Sequence, residues 1–402
     1  MKKTVPEVCG EDMVNAVFII DPGMTRSFGH NYVYNHTFGQ AFSKAGLPVS
    51  FFFNDRLTDA LLDEYPNSTA CFAWFLYQEM HNNRLSEEKF QHSASSLAAE
   101  LQAYINSRLD ASTLILAHTL EPVSLLGFAL WYTSITENQR PYLALNLMLG
   151  VDGTPQCQSR LETACSLLRG CPKARLFGGS SSVGEMLTTL MGKECPTMPT
   201  PLPEHPESYH NHTCPTEPLF GMAGDWRPGK NLHILPSALT RYLAQGGQGR
   251  FAIQATPTDT QIHSVVLALH DLSHTFPGRI NLNTHYLDER AYYRNMASFT
   301  AMIIPYTAEA YSRYRPSGLV IESAAMAVPA ICAQEGFMRE ELAPLRNGSL
   351  FMPAPTAACL AEALFQFERE MRKRKALALN AAQDYCRRHD IRHFANGFLL
   401  AA

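Results

Sequence analysis

Arg315, Ser317, Gly318 and Glu322 fall within RYRPSGLVIESAAMAVPAI, Arg313 to Ile331, in an order suited to holding an anion. Pro316, Ser317 and Gly318 form a turn ahead of an apolar run, so a helix starting there leaves its first backbone N–H groups pointing outward, unpaired. Those donors, the positive end of the helix dipole and the fixed charge of Arg315 suit a phosphate. Glu322 lies one helical turn beyond Gly318 and would reach hydroxyl groups on the same ligand. Phosphate donors beside a hydroxyl-binding carboxylate point to a nucleotide diphosphate, with a nucleotide sugar as the first expectation.

Three further segments carry candidate chemistry. In GMAGDWRPGKNL, Gly221 to Leu232, a strand pattern leads into a helix pattern, which puts Arg227 and Lys230 at the carboxyl edge of a sheet, where open α/β sheets bind ligands. Two cations there would meet the charge that builds on a departing diphosphate. The plainer alternative is a solvated loop turned by Pro228 and Gly229. In DPGMTRSFGHNYVYN, Asp21 to Asn35, Gly23 and Gly29 let backbone approach a ligand before a helix that His30 would open. In LILAHTLEPVSLLGFAL, His118, Thr119 and Glu121 follow a buried strand, and His118 would hydrogen-bond a sugar hydroxyl unless it is simply a core histidine. The glycine-rich stretch from Gly179 to Gly184 is not a phosphate loop, because Glu185 and Met186 stand where Lys and Ser/Thr are required. No GxGxxG follows a strand, and GxSxG and HExxH are absent.

The elements that must position these residues alternate between short apolar runs and longer periodic segments, the pattern of parallel sheets flanked by helices. Strands are expected at Ala16 to Ile20, Val49 to Phe53, Cys71 to Phe75, Thr113 to Ala117 and Tyr142 to Leu147, with helices at Glu87 to Arg108 and Pro122 to Thr133. Seven prolines between Cys195 and Pro218 interrupt the pattern and mark a linker. Beyond it, strands are expected at Leu219 to Ala223, Arg250 to Gln254 and Phe299 to Ile304, with helices at Asn231 to Ala244, Thr260 to Leu269 and Leu287 to Met296. A final helical segment, Leu360 to His389, carries the basic cluster Arg369, Arg372, Lys373, Arg374 and Lys375, a solvated face or a weak peripheral membrane contact.

At 402 residues the chain suits about two domains. With 46% hydrophobic and 17% charged residues, it is neither disordered nor a coiled coil, and a net charge of −4 gives no general attraction to nucleic acid. The ten cysteines form no CxxC pairs and read as ordinary thiols of a reducing cytosol. Glu7, Glu11 and Asp12 break any signal peptide opened by Lys2 and Lys3, so the N-x-[ST] matches at Asn35, Asn67, Asn211 and Asn347 read as chance. No window approaches a transmembrane span.

Taken in chain order, these segments resemble the retaining family 4 glycosyltransferases of the GT-B fold, most firmly from Leu219 to Phe351. The glycine loop after the first strand, the histidine followed by Glu121 and Pro122, the proline-rich linker and the basic loop ending in Lys230 all have counterparts there. In the family's closing signature, two glutamates separated by seven residues precede a G-x-P turn. Counting back from Pro329 makes Glu322 the second, ribose-binding glutamate; the first falls at Tyr314, and Ala327 replaces the glycine of the turn. Tyr306, Tyr311, Arg315, Ser317, Gly318 and Leu319 would form a divergent version of the donor pocket.

The resemblance implies an α/β chain of two Rossmann-like domains facing across a cleft: an acceptor-side domain over 1–213, a donor domain over 214–382, and a terminal helix over 383–402 returning to the first. It implies a metal-independent, hexosyltransferase-like enzyme that needs no cofactor and uses a nucleotide-diphosphate sugar as co-substrate. Arg227, Lys230 and His118 would be catalytic, and Gly23, Gly29 and His30 would border a glycan, lipid-linked or protein acceptor. The expected location is the cytoplasm or the inner face of its membrane. The alternatives are a nucleotide-sugar 2-epimerase-like enzyme and a non-catalytic scaffold.

Overall fold

Runs such as AVFIID, VSFFFN and TLILAHTL lack polar alternation, as strands covered by helices on both faces require, and they lie side by side in a parallel sheet. The computed structural model describes residues 14–27, 29–76, 85–213, 215–226, 229–257 and 262–400. The first half contains β1 (Ala16–Asp21), α1 (His30–Lys44), β2 (Val49–Asn54), α2 (Asp59–Leu62), β3 (Ser68–Phe72), α3 (Glu87–Tyr104), β4 (Thr113–Leu120), α4 (Pro122–Ser134), β5 (Tyr142–Leu147), α5 (Pro155–Leu168), β6 (Ala174–Gly178) and α6 (Ser181–Met191). Its six-stranded sheet has the order β3-β2-β1-β4-β5-β6. The chain reverses its direction of growth between β1 and β4, so the loops leaving these two strands open at one carboxyl edge.

The second half repeats the plan with β7 (Leu219–Met222), β8 (Asp225–Trp226), α7 (Leu235–Ala244), β9 (Arg250–Gln254), β10 (Thr256–Pro257), α8 (His263–Thr275), β11 (Ile280–Asn283), α9 (Glu289–Ser298), β12 (Ala301–Ile304), α10 (Gly318–Ala325), β13 (Ala330–Ala333), α11 (Gly336–Leu342), β14 (Leu350–Met352), α12 (Ala357–Arg388) and α13 (Ile391–Leu400). A second six-stranded parallel sheet has the order β11-β9-β7-β12-β13-β14, with its reversal between β7 and β12. β8 and β10 pair separately.

The strand expected at Cys71 to Phe75 lies earlier, at Ser68–Phe72, and the helix expected from Asn231 opens as a 3-10 turn at Leu232–Ile234. Strands β6, β11 and β14 escape the sequence pattern because they are short, β6 and β11 also carrying polar or charged residues, and all three are sheet edges.

The chain divides into two compact units, Met1–Pro201 with Asp390–Ala402, and Leu202–His389. This division falls inside the proline-rich segment, earlier than the expected boundary at Thr213. The start of that segment extends the first sheet, with Gly178 N–H bonded to Pro196 O and Met198 N–H to Gly178 O. Leu202 and Tyr209 instead pack on the second unit's core, where His210 Nε2 donates to Ala325 O at 2.7 Å. The return also comes later than residue 383: α12 runs unbroken to Arg388 with Tyr385 buried in the second unit, and α13 sets Ile391, Ala395 and Phe398 into the core of the first.

Several sequence features become packing features. A methyl group on Gly178, the last residue of β6, would lie 2.3 Å from Gly184 N, and one on Gly184 would lie 2.7 Å from Cys195 O, so glycines in and beside the stretch dismissed as a phosphate loop allow close packing of β6, α6 and the chain that follows. The basic cluster of α12 is largely used internally. Lys375 is buried against the carbonyls of Ala327 and Phe299, Arg374 binds Gly348 O and Glu370, and Arg369 lies 3.5 Å from Glu362. Arg372 and Lys373 remain exposed. Asn35 and Asn347 are buried, which removes both sequons as surface acceptors. Among the described residues no helix is long and apolar enough to cross a membrane.

Candidate functional site

In the first unit the loops at the β1/β4 edge are tied together by a buried polar network. Asp21, the last residue of β1, accepts from Gly23 N–H at 2.9 Å, from Asn31 Nδ2 at 2.9 and 3.0 Å, and from Asn35 Nδ2 at 2.6 Å. Asn31 and Asn35 share one face of α1 because they are four residues apart. A Cβ on Gly23 would lie 2.8 Å from Asn31 Nδ2, so a larger residue there would have to displace the Asn31 amide from Asp21. Gly29, the residue capping α1, is glycine for a different reason: its φ is +87°. His30 follows as a partly buried first helical residue.

His118 joins the same network and has no exposed surface. Its Nε2 lies 3.0 Å from Asn35 Oδ1 and its Nδ1 lies 2.9 Å from Thr119 Oγ1. Because Asn35 Nδ2 already donates to Asp21 and to Asn31 O, its Oδ1 is the acceptor, which puts the histidine proton on Nε2. The ring stacks on Phe38 with an interplanar angle of 2°. His118 therefore does not present a ring nitrogen for a sugar hydroxyl as the sequence suggested; it reaches the Gly23 loop through Asn35 and Asp21. Asn146 Nδ2 adds a bond to His118 O at 2.8 Å.

Burial pushes the His118 imidazole down to about 3 from an ordinary 6.5. Between those values the unfolded chain binds the extra proton and the folded one does not, so stability is full above pH 6.5 and is lost as pH falls toward 3. At pH 5 the loss is about 2 kcal/mol. Asp21 works the other way, since burial raises its carboxyl above the usual range against the opposing hydrogen bonds of Asn35, Gly23 and Asn31. Comparing the pH dependence of urea midpoints for wild type and His118→Gln isolates the histidine contribution. The variant is expected to lose less stability between pH 7 and pH 5, and parallel profiles would exclude a buried neutral His118.

In the second unit, candidate residues gather at the β7/β12 edge. The loop after β7 is pinned by the β8–β10 pair, by buried Trp226 and by Asn231, whose Nδ2 donates to Pro305 O at 3.0 Å and Pro355 O at 2.8 Å. Lys230 is 7% exposed; its Nζ donates to Asp225 O and stands 5.3 Å from the ring centre of Tyr306. Arg227 lies outside the described residues. Tyr306 follows β12 and stacks on Tyr311 at 4.4 Å, and the exposed Arg315 guanidinium sits 5.1 Å from the Tyr311 ring while donating to Ala310 O.

α10 starts at Gly318 with Ser317 as its cap residue, but the serine side chain makes no capping bond. Glu322 Oε1 is 3.7 Å from where a Cβ on Gly318 would sit, while Oε2 accepts from Tyr292 Oη at 2.7 Å. Burial raises the Glu322 carboxyl, opposed by the Tyr292 bond and the charge of Lys230. The carboxylate thus lies beside the helix start, with Oε2 held by Tyr292 and Oε1 next to Gly318. Leu319 is partly buried against the core.

At the far end of α10, Ala327 adopts φ +56°, with Val328 N–H bonded to Ser323 O and Ala327 N–H to Ala324 O. This is a Schellman closure, in which glycine is the unstrained residue. Alanine here carries the backbone of the expected G-x-P turn. Sequence reasoning missed Asp21, Asn31, Tyr292 and Asn231 as site-forming residues. The Asn31/Asn35 spacing after a strand-terminal aspartate was the one available signal.

Two doubly wound parallel sheets of this order, each with helices on both faces, place the chain in the GT-B class of folds. No protein-family model matches the sequence, and no characterised protein matches it by sequence. Solved structures do match. An α,α-trehalose-phosphate synthase (UDP-forming) from Burkholderia vietnamiensis has a TM-score of 0.61 at 12% identity, covering 98% of each chain. The N-terminal domain of Candida albicans trehalose-6-phosphate phosphatase gives 0.68 at 9% identity, covering 99% of this chain and 100% of that one. Anabaena Alr3699/HepE in complex with UDP-glucose gives 0.59 at 14%, covering 95% and 98%. At such identities the likeness establishes the fold.

Proposed function

We propose that the chain is a glycosyltransferase that moves a sugar from a nucleotide-diphosphate sugar to an acceptor hydroxyl with retention of configuration. The observation that carries this reading is the convergence at the start of α10, where Lys230 lies over Tyr306 and Glu322 stands beside Gly318. Neighbours of the same fold that hold UDP-glucose support the donor class. In the reaction the bond from the sugar's anomeric carbon to the diphosphate breaks, and a bond to the acceptor oxygen forms on the same face. The acceptor proton passes to the departing diphosphate. Lys230, with Arg227, neutralises the charge developing there, and the N–H groups at Ser317 and Gly318 bind phosphate oxygens. Glu322, oriented by Tyr292, holds the ribose hydroxyls; Tyr306, Tyr311, Arg315 and Leu319 complete the donor wall. These charges supply the countercharge a metal would otherwise provide, so transfer proceeds without one.

Gly23, Gly29 and His30 border the acceptor, and His118 acts as a positioning residue for that loop. The acceptor is a glycan, a lipid-linked sugar or a protein, and the site of action is the cytoplasm or the inner membrane surface.

A thermal-shift screen against UDP, GDP, ADP, CMP and dTDP conjugates tests the donor reading. A ligand at a hundred times its dissociation constant should add about 2.7 kcal/mol of stability. Glu322→Gln should weaken the responding nucleotide at least about tenfold, equivalent to about 1.4 kcal/mol. No shift with any of the five would remove the donor site. Product analysis with and without acceptors then separates the chemistries, because an epimerase alters donor alone and a scaffold alters nothing.

A further inference from the structure

Away from the donor residues, α9 and the 3-10 turn Pro206–Tyr209 enclose an open pocket of about 430 Å³ within the second unit. Arg290 and Arg294 line it together, four residues apart on α9, with Ser208, Tyr209, Asn211 and Ser298. Some surface arginines of this unit are paired with carboxylates, as Arg313 is with Glu340 and Arg369 with Glu362. Among the described residues, no carboxylate lies within ion-pair distance of Arg290 or Arg294. Glu207, the acidic residue of the turn, is engaged with His205 Nδ1 at 3.3 Å. Asn211 contributes a donor as well. Its Oδ1 accepts from Thr213 N–H at 3.0 Å and Thr213 Oγ1 at 2.7 Å, which turns the amide so that Nδ2 is the group left for a ligand.

We infer that this pocket binds a small phosphomonoester, with Arg290 and Arg294 gripping the phosphoryl group and the amide and hydroxyl groups holding a polar body. Two guanidinium forks match phosphate oxygens geometrically, and the pocket lining offers donors without a carboxylate to repel them. The volume exceeds that of a bare phosphate and lies in the range of small-ligand sites. The site is separate from the proposed donor residues and does not depend on their assignment.

Isothermal titration of the full chain with glucose 6-phosphate, inorganic phosphate and glucose tests the inference. Glucose 6-phosphate and phosphate are expected to bind, with the sugar phosphate tighter, and glucose is expected to give no heat. Arg290→Ala with Arg294→Ala should weaken both anions at least tenfold. Lys230→Ala should leave them unchanged, which separates this pocket from any phosphate binding at the donor site. Arg294→Glu alone, read in the same way, covers the case in which the double variant is not folded. Failure of both anions to bind, equal affinity in the Arg294→Glu variant, or loss of binding in Lys230→Ala would overturn the assignment.

Discussion

Lys230→Ala is expected to lower kcat/KM for sugar transfer by about a hundredfold, or about 2.7 kcal/mol of transition-state stabilisation. The magnitude follows from what the residue would do. A preorganised donor aimed at developing charge in a water-poor site is worth about that much when removed singly. Lys230 is preorganised in this sense, because Asp225 O and the Tyr306 face fix its ammonium and only 7% of the residue is exposed. The ammonium also bonds the chain's own loop, so Lys230→Met, which keeps most of the stem, serves as a companion. Both variants should melt close to wild type while losing turnover. The loss should fall mainly on kcat, since charge on the diphosphate grows as the sugar departs. Wild-type turnover in either variant would sink the leaving-group assignment.

Asp21→Ala is expected to destabilise the protein by about 3 kcal/mol, the largest stability effect anticipated here. The substitution removes the acceptor for Gly23 N–H and for the amides of Asn31 and Asn35. Each buried donor left without a partner costs about 1–3 kcal/mol. Part of that is offset because the buried carboxylate itself carries a desolvation penalty, visible in its raised pKa. Asp21→Asn keeps the shape and one acceptor oxygen, and should cost about half as much. Urea midpoints for the two variants measure both. A loss below about 1 kcal/mol for Asp21→Ala would mean that the network contributes little to stability.

The fold was legible because central parallel strands must be continuously apolar. β1, β2, β4 and β5 therefore stand out as runs, whereas edge strand β11, INLN, does not. The arrangement at the start of α10 was legible for a local reason. A helix start, a neighbouring charge and a carboxylate one turn away are fixed by short-range spacing, so Gly318 and Glu322 fall beside one another as the helix period demands. The Ala327 position behaved similarly, its +56° φ following from the closure that ends α10. His118 was different. Its spacing placed it correctly at the carboxyl end of β4, but its exposure and partners depend on α1, 83 residues earlier in the chain, which brings Asn35 against Nε2.

The basic cluster of α12 teaches the same lesson, since Lys375 and Arg374 are spent on carbonyls that belong to distant loops. By itself the sequence determined the alternation of elements, the two halves and the local geometry at the start of α10, because each arises from interactions within a few turns or from the apolar character of a single strand. The tertiary structure alone decided which polar groups are buried and which of them satisfy one another. Hydrogen-bond partners in a doubly wound sheet come from segments remote in the chain, and a buried donor or acceptor takes whichever partner the packing brings to it.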